Sequence, residues 1–287
     1  MLGHKVWQTF QDRFHTFATV RELRSSFAHL AESGDPRIIT GVSAENPSDL
    51  DRAFAAARAD VVVNCIGIVK QDKSAKDPIA SITVNSLFPH HVTRRCRESG
   101  ARLIHLSTDC VFTGRKGNYR ENDVADAQDL YGRSKLLGEV DEDDCLTIRT
   151  SMIGRELAGS HGLLEWFFSQ QGQSVRGFQR AIFSGFTTGA LAVLIARIIT
   201  DHRGLTGVWH VASEPISKFD LLTLVKQTYG LAIEIEPEND FVCDRSLDST
   251  RFRAATGIQP PSWPEMIERM RDDLTPYDEI RRMNAKG

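Results

Sequence analysis

Four residues in this sequence have the types and spacing to do chemistry together: Thr108, Asp109, Tyr131 and Lys135. A run rich in strand formers, ARLIHLS, ends in Ser107 and is followed directly by Thr108 and Asp109. Tyr131 and Lys135 lie four positions apart in DLYGRSKLLGE, a spacing that puts both on one face of a helix. An ammonium beside a phenol stabilises the phenolate and lowers the tyrosine pKa. Such a tyrosine can hand a proton to a carbonyl oxygen while hydride arrives at the carbon. The Thr108 hydroxyl can hydrogen-bond the same oxygen, and Lys135 can hold a nicotinamide ribose hydroxyl. A tyrosine and a lysine at this spacing also form ordinary surface pairs. Their place after a strand-end Ser-Thr-Asp is what makes them a candidate catalytic set, with Asp109 in support.

Such a set needs a strand that ends at Thr108 and a helix that begins near Tyr131. The chain supplies the alternation. HTFATV, RIITGV, ADVVVNCIG, ARLIHLS, CLTIRTS and GVWHVA read as strands, with helical runs between them. In PSDLDRAFAAARA, Ser48 is expected to cap a helix with Asp51 completing the box, and Gly100 suits the end of the next helix. Near-continuous apolar strands alternating with helices predict an α/β protein with a parallel sheet covered on both faces. The expected fold is a Rossmann-type doubly wound sheet with a smaller C-terminal substrate-binding lobe. The boundaries follow the loosening of the pattern. Residues 1–150 form the nucleotide-binding domain, and 151–287 form mainly the substrate lobe, with a return strand near 207–212. Trp166, Phe167 and Phe168 read as helix core or interface, and the charged tail after Pro276 as loosely held.

Composition excludes several classes. A formal net charge of -3 does not suit a chain built to neutralise nucleic-acid phosphates. No apolar run reaches a membrane span; TTGALAVLIARIIT is short and carries Arg197. The first residues do not form a signal peptide. Five scattered cysteines without a CxxC point to neither a disulfide scaffold nor a thiolate zinc site. No HExxH occurs, His90 and His91 are adjacent, and His105 reads as a packed strand residue, so no metal site is expected. The expected setting is the cytoplasm, without nucleic-acid or membrane partners.

A dinucleotide site of the doubly wound kind needs a strand, a glycine-rich turn and a helix whose N-terminus meets the pyrophosphate. GHKVWQTFQDRF reads as that helix, beginning at Gly3, but no strand precedes it. The expectation is therefore a sheet whose central first strand is absent, with Gly3 the remaining candidate for the phosphate turn. The next strand, ATVR, places Arg21 where such folds read the adenosine ribose. An acid there would suit a 2′-hydroxyl and an arginine a 2′-phosphate, which favours NADPH and leaves NADH open. A solvated surface arginine is the alternative for Arg21.

The segments STDCVFTG, YRENDVADAQDLYGRSKLLGE, LTIRTSMIG and LDSTRFRAATGIQPPSWPEMI resemble the extended short-chain dehydrogenase/reductase family, most of all its dTDP-4-dehydrorhamnose reductase type. The likeness covers essentially the whole chain. It implies that Thr108, Tyr131 and Lys135 are catalytic, that Asp109 lies near substrate, and that Gly3 is the third glycine of a GxxGxxG turn. It implies that Asn64 and Gly67 lie along the cofactor and that Asn85 braces the active-site backbone; by themselves the two asparagines could equally be caps. Thr150 and Ser151 are expected near nicotinamide or substrate. Among its departures from the type are the following two. Cys110 stands where a tyrosine is usual, and GFQRAIFSGFTTGALA replaces a DQxGxPT segment, making Arg180, Phe183, Gly185 and Thr188 candidates for substrate contact. The implied activity is NADPH-dependent reduction of the keto group of a 4-keto-6-deoxy sugar nucleotide, with Tyr131 as proton donor and a homodimer as the expected assembly. An epimerase or dehydratase of the same superfamily, or a non-catalytic nucleotide-binding subunit, are the alternatives.

Overall fold

A computed structural model describes residues 1–22 and 34–284. The chain begins with helix α1 (Leu2–Phe10), followed by the short strands β1 (Ala18–Val20) and β2 (Ile38–Thr40). Helix α2 (Pro47–Ala57) leads to β3 (Val61–Asn64). The helical connection to β4 (Arg102–Leu106) contains α3 (Pro78–Ser81), a π-helical turn over Ile82–Leu87, and α4 (Phe88–Ser99). Helix α5 (Leu130–Leu137) precedes β5 (Cys145–Arg149). The cap of α2 corrects the sequence expectation: Asn46, not Ser48, caps it, accepting from the Ser48 N–H at 3.3 Å. Pro47 fills the first helical position, so the residue before it takes the cap. Gly100 ends α4 in the left-handed conformation, φ 73°, as expected.

Strands β3, β4 and β5 pair in parallel, and the strand Gly207–His210 adds in parallel beyond β5. The return strand therefore joins the main sheet. β1 and β2 pair in parallel with each other, and no ladder joins them to the four-stranded sheet among the described residues. The sheet is covered on both faces, and alternate residues sort to opposite sides. Leu103 and Cys145 pack with Leu50, Phe88, Val92 and Cys96 on one face. Ile104, Leu106, Leu146 and Ile148 pack on the other with Leu2, Val6 and Phe10 of α1 and the apolar side of α7 (Thr188–Asp201). This is the doubly wound α/β arrangement that the alternating pattern predicts.

The second half holds α6 (Leu163–Phe168), α7, α8 (Lys218–Tyr229), α9 (Thr250–Thr256), α10 (Trp263–Arg271) and α11 (Tyr277–Asn284). Short strands lie between them, with Ser174–Phe178 paired to Glu234–Glu238 and Ala181–Phe183 flanked by Ile216–Ser217 and Cys243–Asp244. One expectation changes here. The tail is held: Tyr277 and Ile280 are buried, and Tyr277 hydrogen-bonds His4 of α1 at 2.9 Å. On α6, Phe167 is fully buried but Trp166 points outward and is 38% exposed. A six-residue helix presents only one face to the core, and Phe167 occupies it.

α5 and the π-helical turn approach closely at Gly138, the cap of α5. A Cβ there would collide with the Asn85 carbonyl of the π-helical turn and sit 3.2 Å from the Pro89 ring. Backbone cannot yield as a flexible side chain can. Gly138→Ala should lower stability by about 1–3 kcal/mol, read as a drop in the thermal unfolding midpoint; an unchanged midpoint would contradict this packing.

Candidate active site

β4 delivers its last residues to the C-terminal edge of the sheet. Ser107 N–H donates to the Ile148 carbonyl at 2.8 Å, which extends the ladder past the strand end. Thr108 then leaves the sheet, and its Oγ1 accepts from the Cys110 N–H at 3.1 Å, capping a tight turn over Asp109–Val111. The Thr108 hydroxyl also donates to Asp109 Oδ1 at 3.2 Å. Thr108 and Asp109 are both buried.

Asp129 caps α5, accepting from the Gly132 N–H at 2.9 Å, and carries an ion pair with Lys70 at 2.8 Å. Tyr131 and Lys135 fall on the helix face turned to β4. Gly132 allows this approach, because a Cβ there would collide with the Cys110 carbonyl and the Ala127 methyl. The Thr108 hydroxyl lies close enough to the Tyr131 phenol to draw its pKa down. Burial is the stronger influence and pushes the phenol well above the usual tyrosine range, with Cys110 and Asp109 acting in the same direction. The lowering expected from Lys135 is not what governs the phenol here. The Lys135 ammonium donates to the Leu106 carbonyl at 2.7 Å, and burial pulls its own pKa down to about 8. Tyr131 therefore holds its proton at neutral pH, and Lys135 stays mostly charged.

Gly3, Asn64, Gly67 and Asn85, four of the residues expected along the cofactor, lie on or near α1, β3 and the π-helical turn. Asn85 lies in the π-helical turn, a feature often found at functional sites. Its Oδ1 accepts from the Ile68 N–H at 2.9 Å, and its Nδ2 donates to the Ile68 carbonyl at 3.1 Å and to Ser134 Oγ at 3.3 Å. One side chain thus ties the loop after β3 to α5. A Cβ on Gly67 would lie 3.3 Å from Asn85 Oδ1 and 4.0 Å from Lys135 Nζ, so Gly67 leaves room beside the lysine. Gly3 faces the same loop, its Cβ position 3.8 Å from Cys65. Asn64 is buried at the end of β3, where its Oδ1 accepts from the Ile66 N–H and its Nδ2 faces His105 Nδ1 at 3.1 Å. Arg21 directly follows β1 and is exposed, its carbonyl accepting from the Gly41 N–H at 3.0 Å. No group of three or more His, Cys, Asp and Glu residues among the described residues is placed to hold a metal.

The substrate candidates divide. Thr150 is buried beside the site, and its carbonyl accepts from the Asp109 N–H at 3.3 Å. Ser151 follows it, and its carbonyl accepts from the Phe186 N–H at 3.0 Å. Gly185 packs on that Ser151 carbonyl, where any side chain would collide. Phe183 is buried against Trp263 with ring centroids 5.4 Å apart. Arg180 is exposed, and Thr188 packs against Gly154. Thr188 also lines a cavity of about 590 Å³ with Lys5, Arg155 and Tyr277, which includes none of Thr108, Tyr131 and Lys135.

Two cations escaped the sequence reading. Lys218 Nζ lies 4.0 Å from the Phe183 ring centroid, and its pKa falls to about 8 through burial, opposed mainly by Asp109. Arg245 Nε donates to the Phe112 carbonyl at 2.8 Å. Both cations act on Asp109, whose burial pushes its carboxyl up while they pull it down. The available signal was Lys218 at the first position of α8, where a cation opposes the helix dipole. Burial and Asp109 push the Cys110 thiol up to about 12, a direction that does not suit a nucleophile.

The family described as RmlD substrate binding domain matches residues 1–275. The chain belongs to the RmlD substrate binding domain family. Among relatives of this RmlD-family chain, the spore coat polysaccharide biosynthesis protein SpsK of Bacillus subtilis (strain 168) is 26% identical over 237 residues, covering 75% of this chain and 80% of that protein. The dTDP-4-dehydrorhamnose reductase of Mycobacterium tuberculosis is 41% identical over 85 residues, a stretch that spans 28% of each chain. A solved dTDP-4-dehydrorhamnose reductase from Bacillus anthracis str. Ames, in complex with NADP, superposes with a TM-score of 0.71 at 22% identity, covering 83% of this chain and 90% of that one. That last likeness is one of fold. The resemblance carried by STDCVFTG and YGRSKLLGE is thus borne out at the level of the family. No helix among the described residues is long and apolar enough to cross a membrane.

In this RmlD-family chain the loop after β3 depends on the Asn85 side chain. Asn85→Ala removes both Ile68 bonds and should destabilise the protein by roughly 1–3 kcal/mol, with faster hydrogen exchange at the Ile68 amide. Parent-like protection at Ile68 would show that the loop is held by other contacts.

Proposed function

We propose that this chain is an NADPH-dependent reductase acting on the keto group of a 4-keto-6-deoxy sugar nucleotide, as in dTDP-4-dehydrorhamnose reduction. The observation that carries the reading is the meeting of the Thr108 hydroxyl with the Tyr131 phenol at the end of β4, with Lys135 on the same helix face. The loop held by Asn85, the room left at Gly67 and the nearness of Gly3 to Cys65 suit a dinucleotide laid across the C-terminal ends of the strands. Such a cofactor, when bound, supplies hydride. The protein's own residues handle the oxygen. Thr108 orients the keto oxygen toward Tyr131. Tyr131 delivers its proton there, which it retains because burial keeps the phenol neutral. Lys135 then offsets the charge left on the phenolate.

Residues 151–287 would serve mainly as the substrate lobe, with Ser151, Gly185 and Phe183 shaping its wall. Five free thiols suit a reducing compartment, which makes the cytoplasm the proposed setting. Arg21, exposed just past β1, is proposed to meet the 2′-phosphate of NADPH.

Oxidation of NADPH by keto-sugar nucleotides is the direct test. Tyr131→Phe should cut kcat on the order of 10²–10⁴-fold while the fold survives. Retained turnover in that variant would remove the proton-donor assignment. Conversion of a sugar nucleotide without net NADPH consumption would point instead to an epimerase or dehydratase. Arg21→Asp should lower kcat/KM for NADPH relative to NADH by about tenfold; an unchanged ratio would return Arg21 to the role of a solvated surface residue.

A further inference from the structure

We propose that Glu139 is a positioning residue of this site, whose buried carboxylate clamps the Ser107–Thr108 strand end to the base of α5 and supplies the negative charge facing Lys135. Its consequences for turnover rest on the reductase reading above. Tyr131, Lys135 and Glu139 recur every four residues. The first two lie on the inner face of α5, and the third lies just past its Gly138 cap. Glu139 accepts from Ser107 Oγ at 2.6 Å and from Arg149 Nε and Nη2 at 2.8 and 2.7 Å. The Glu139 and Arg149 side chains are only 7% and 8% exposed. Arg149 in turn faces His210 Nε2 at 3.3 Å and lies over the Phe112 ring, 5.4 Å to its centroid. The pair thus joins β4, β5 and the strand Gly207–His210 behind the site.

Well-packed apolar residues would stabilise this spot at least as well as a buried ion pair, because both charges lose their hydration. What the pair adds is geometry. Lys135 of α5 grips the Leu106 carbonyl and Glu139, just past the helix cap, grips the Ser107 hydroxyl, so the two hold the last residue of β4 and the one after it. Thr108 comes next, and its hydroxyl must meet the Tyr131 phenol. Other charged or titratable groups do not replace Glu139 at Lys135. His105 on β4 faces the lysine but is held neutral by burial, and His90 on α4 acts on His105. Arg149 on β5 is engaged with Glu139. Glu139 is the charge that raises the Lys135 pKa against burial.

Glu139→Gln keeps the shape and removes the charge. Lys135 should then lose its proton at lower pH, so the alkaline fall of kcat should move to lower pH by about one unit or more. The value of kcat should drop roughly tenfold to a hundredfold, with KM for NADPH little changed. Because Arg149 would be left unpaired, Glu139→Gln combined with Arg149→Met serves if the single variant does not fold. Ser107→Ala breaks only the clamp and should lower kcat without moving the alkaline limb. A purely structural Glu139 would lower the yield of folded protein and leave the limb in place. An NMR titration of the Lys135 side chain, without substrate, gives a readout independent of turnover. If the parent chain reduces no keto-sugar nucleotide, the reductase reading falls while this titration still decides the role of Glu139. Folded Glu139 variants with the parent's Lys135 titration and the parent's kcat would overturn the proposal.

Discussion

The helix that carries Tyr131 has to lie against the end of the strand that carries Thr108, and the surrounding structure serves that contact. Gly132 and Gly138 remove the side chains that would hold α5 away from the Asp109–Val111 turn and from the π-helical turn. Lys135 then bonds to the Leu106 carbonyl, so the strand end and the helix are joined directly. The approach is backbone against backbone at both glycines, which leaves little freedom for the phenol and the hydroxyl to drift apart.

Burial sets the electrical state of the site more than any single charge does. It raises Tyr131, Asp109 and Cys110 and lowers Lys135 and Lys218, as expected when charged forms lose their hydration. The outcome suits proton donation: a phenol that keeps its proton, a thiol that stays neutral, and a lysine charged at neutral pH. The cations Lys218 and Arg245 temper the cost of burying Asp109, and they come from the second half of the chain. Residues far apart in sequence thus act on the carboxylate that directly follows Thr108.

The second half is itself closely packed. Ser151 and Gly185 stack backbone on backbone, and Phe183 is fixed between Trp263 and the Lys218 ammonium. Residues 207–210 return to the main sheet beside β5. This return strand makes the two halves one packed body around the C-terminal edge of the sheet.

From the sequence by itself came the parallel α/β architecture, the strands, the helix carrying Tyr131 and Lys135, and the place of the Ser-Thr-Asp end. These are local matters: apolar runs, alternation and i, i+4 spacing act over a few neighbours. Only the tertiary structure decided that Asn46 caps α2, that the tail from Tyr277 is packed, that Trp166 faces outward, and that burial overrides Lys135 in setting the phenol. It also decided that Thr188 lines a cavity that Tyr131 does not, and that Lys218 and Arg245 act on Asp109. Each of these depends on which distant surfaces meet and how much water they exclude, and no residue's type or spacing carries that information.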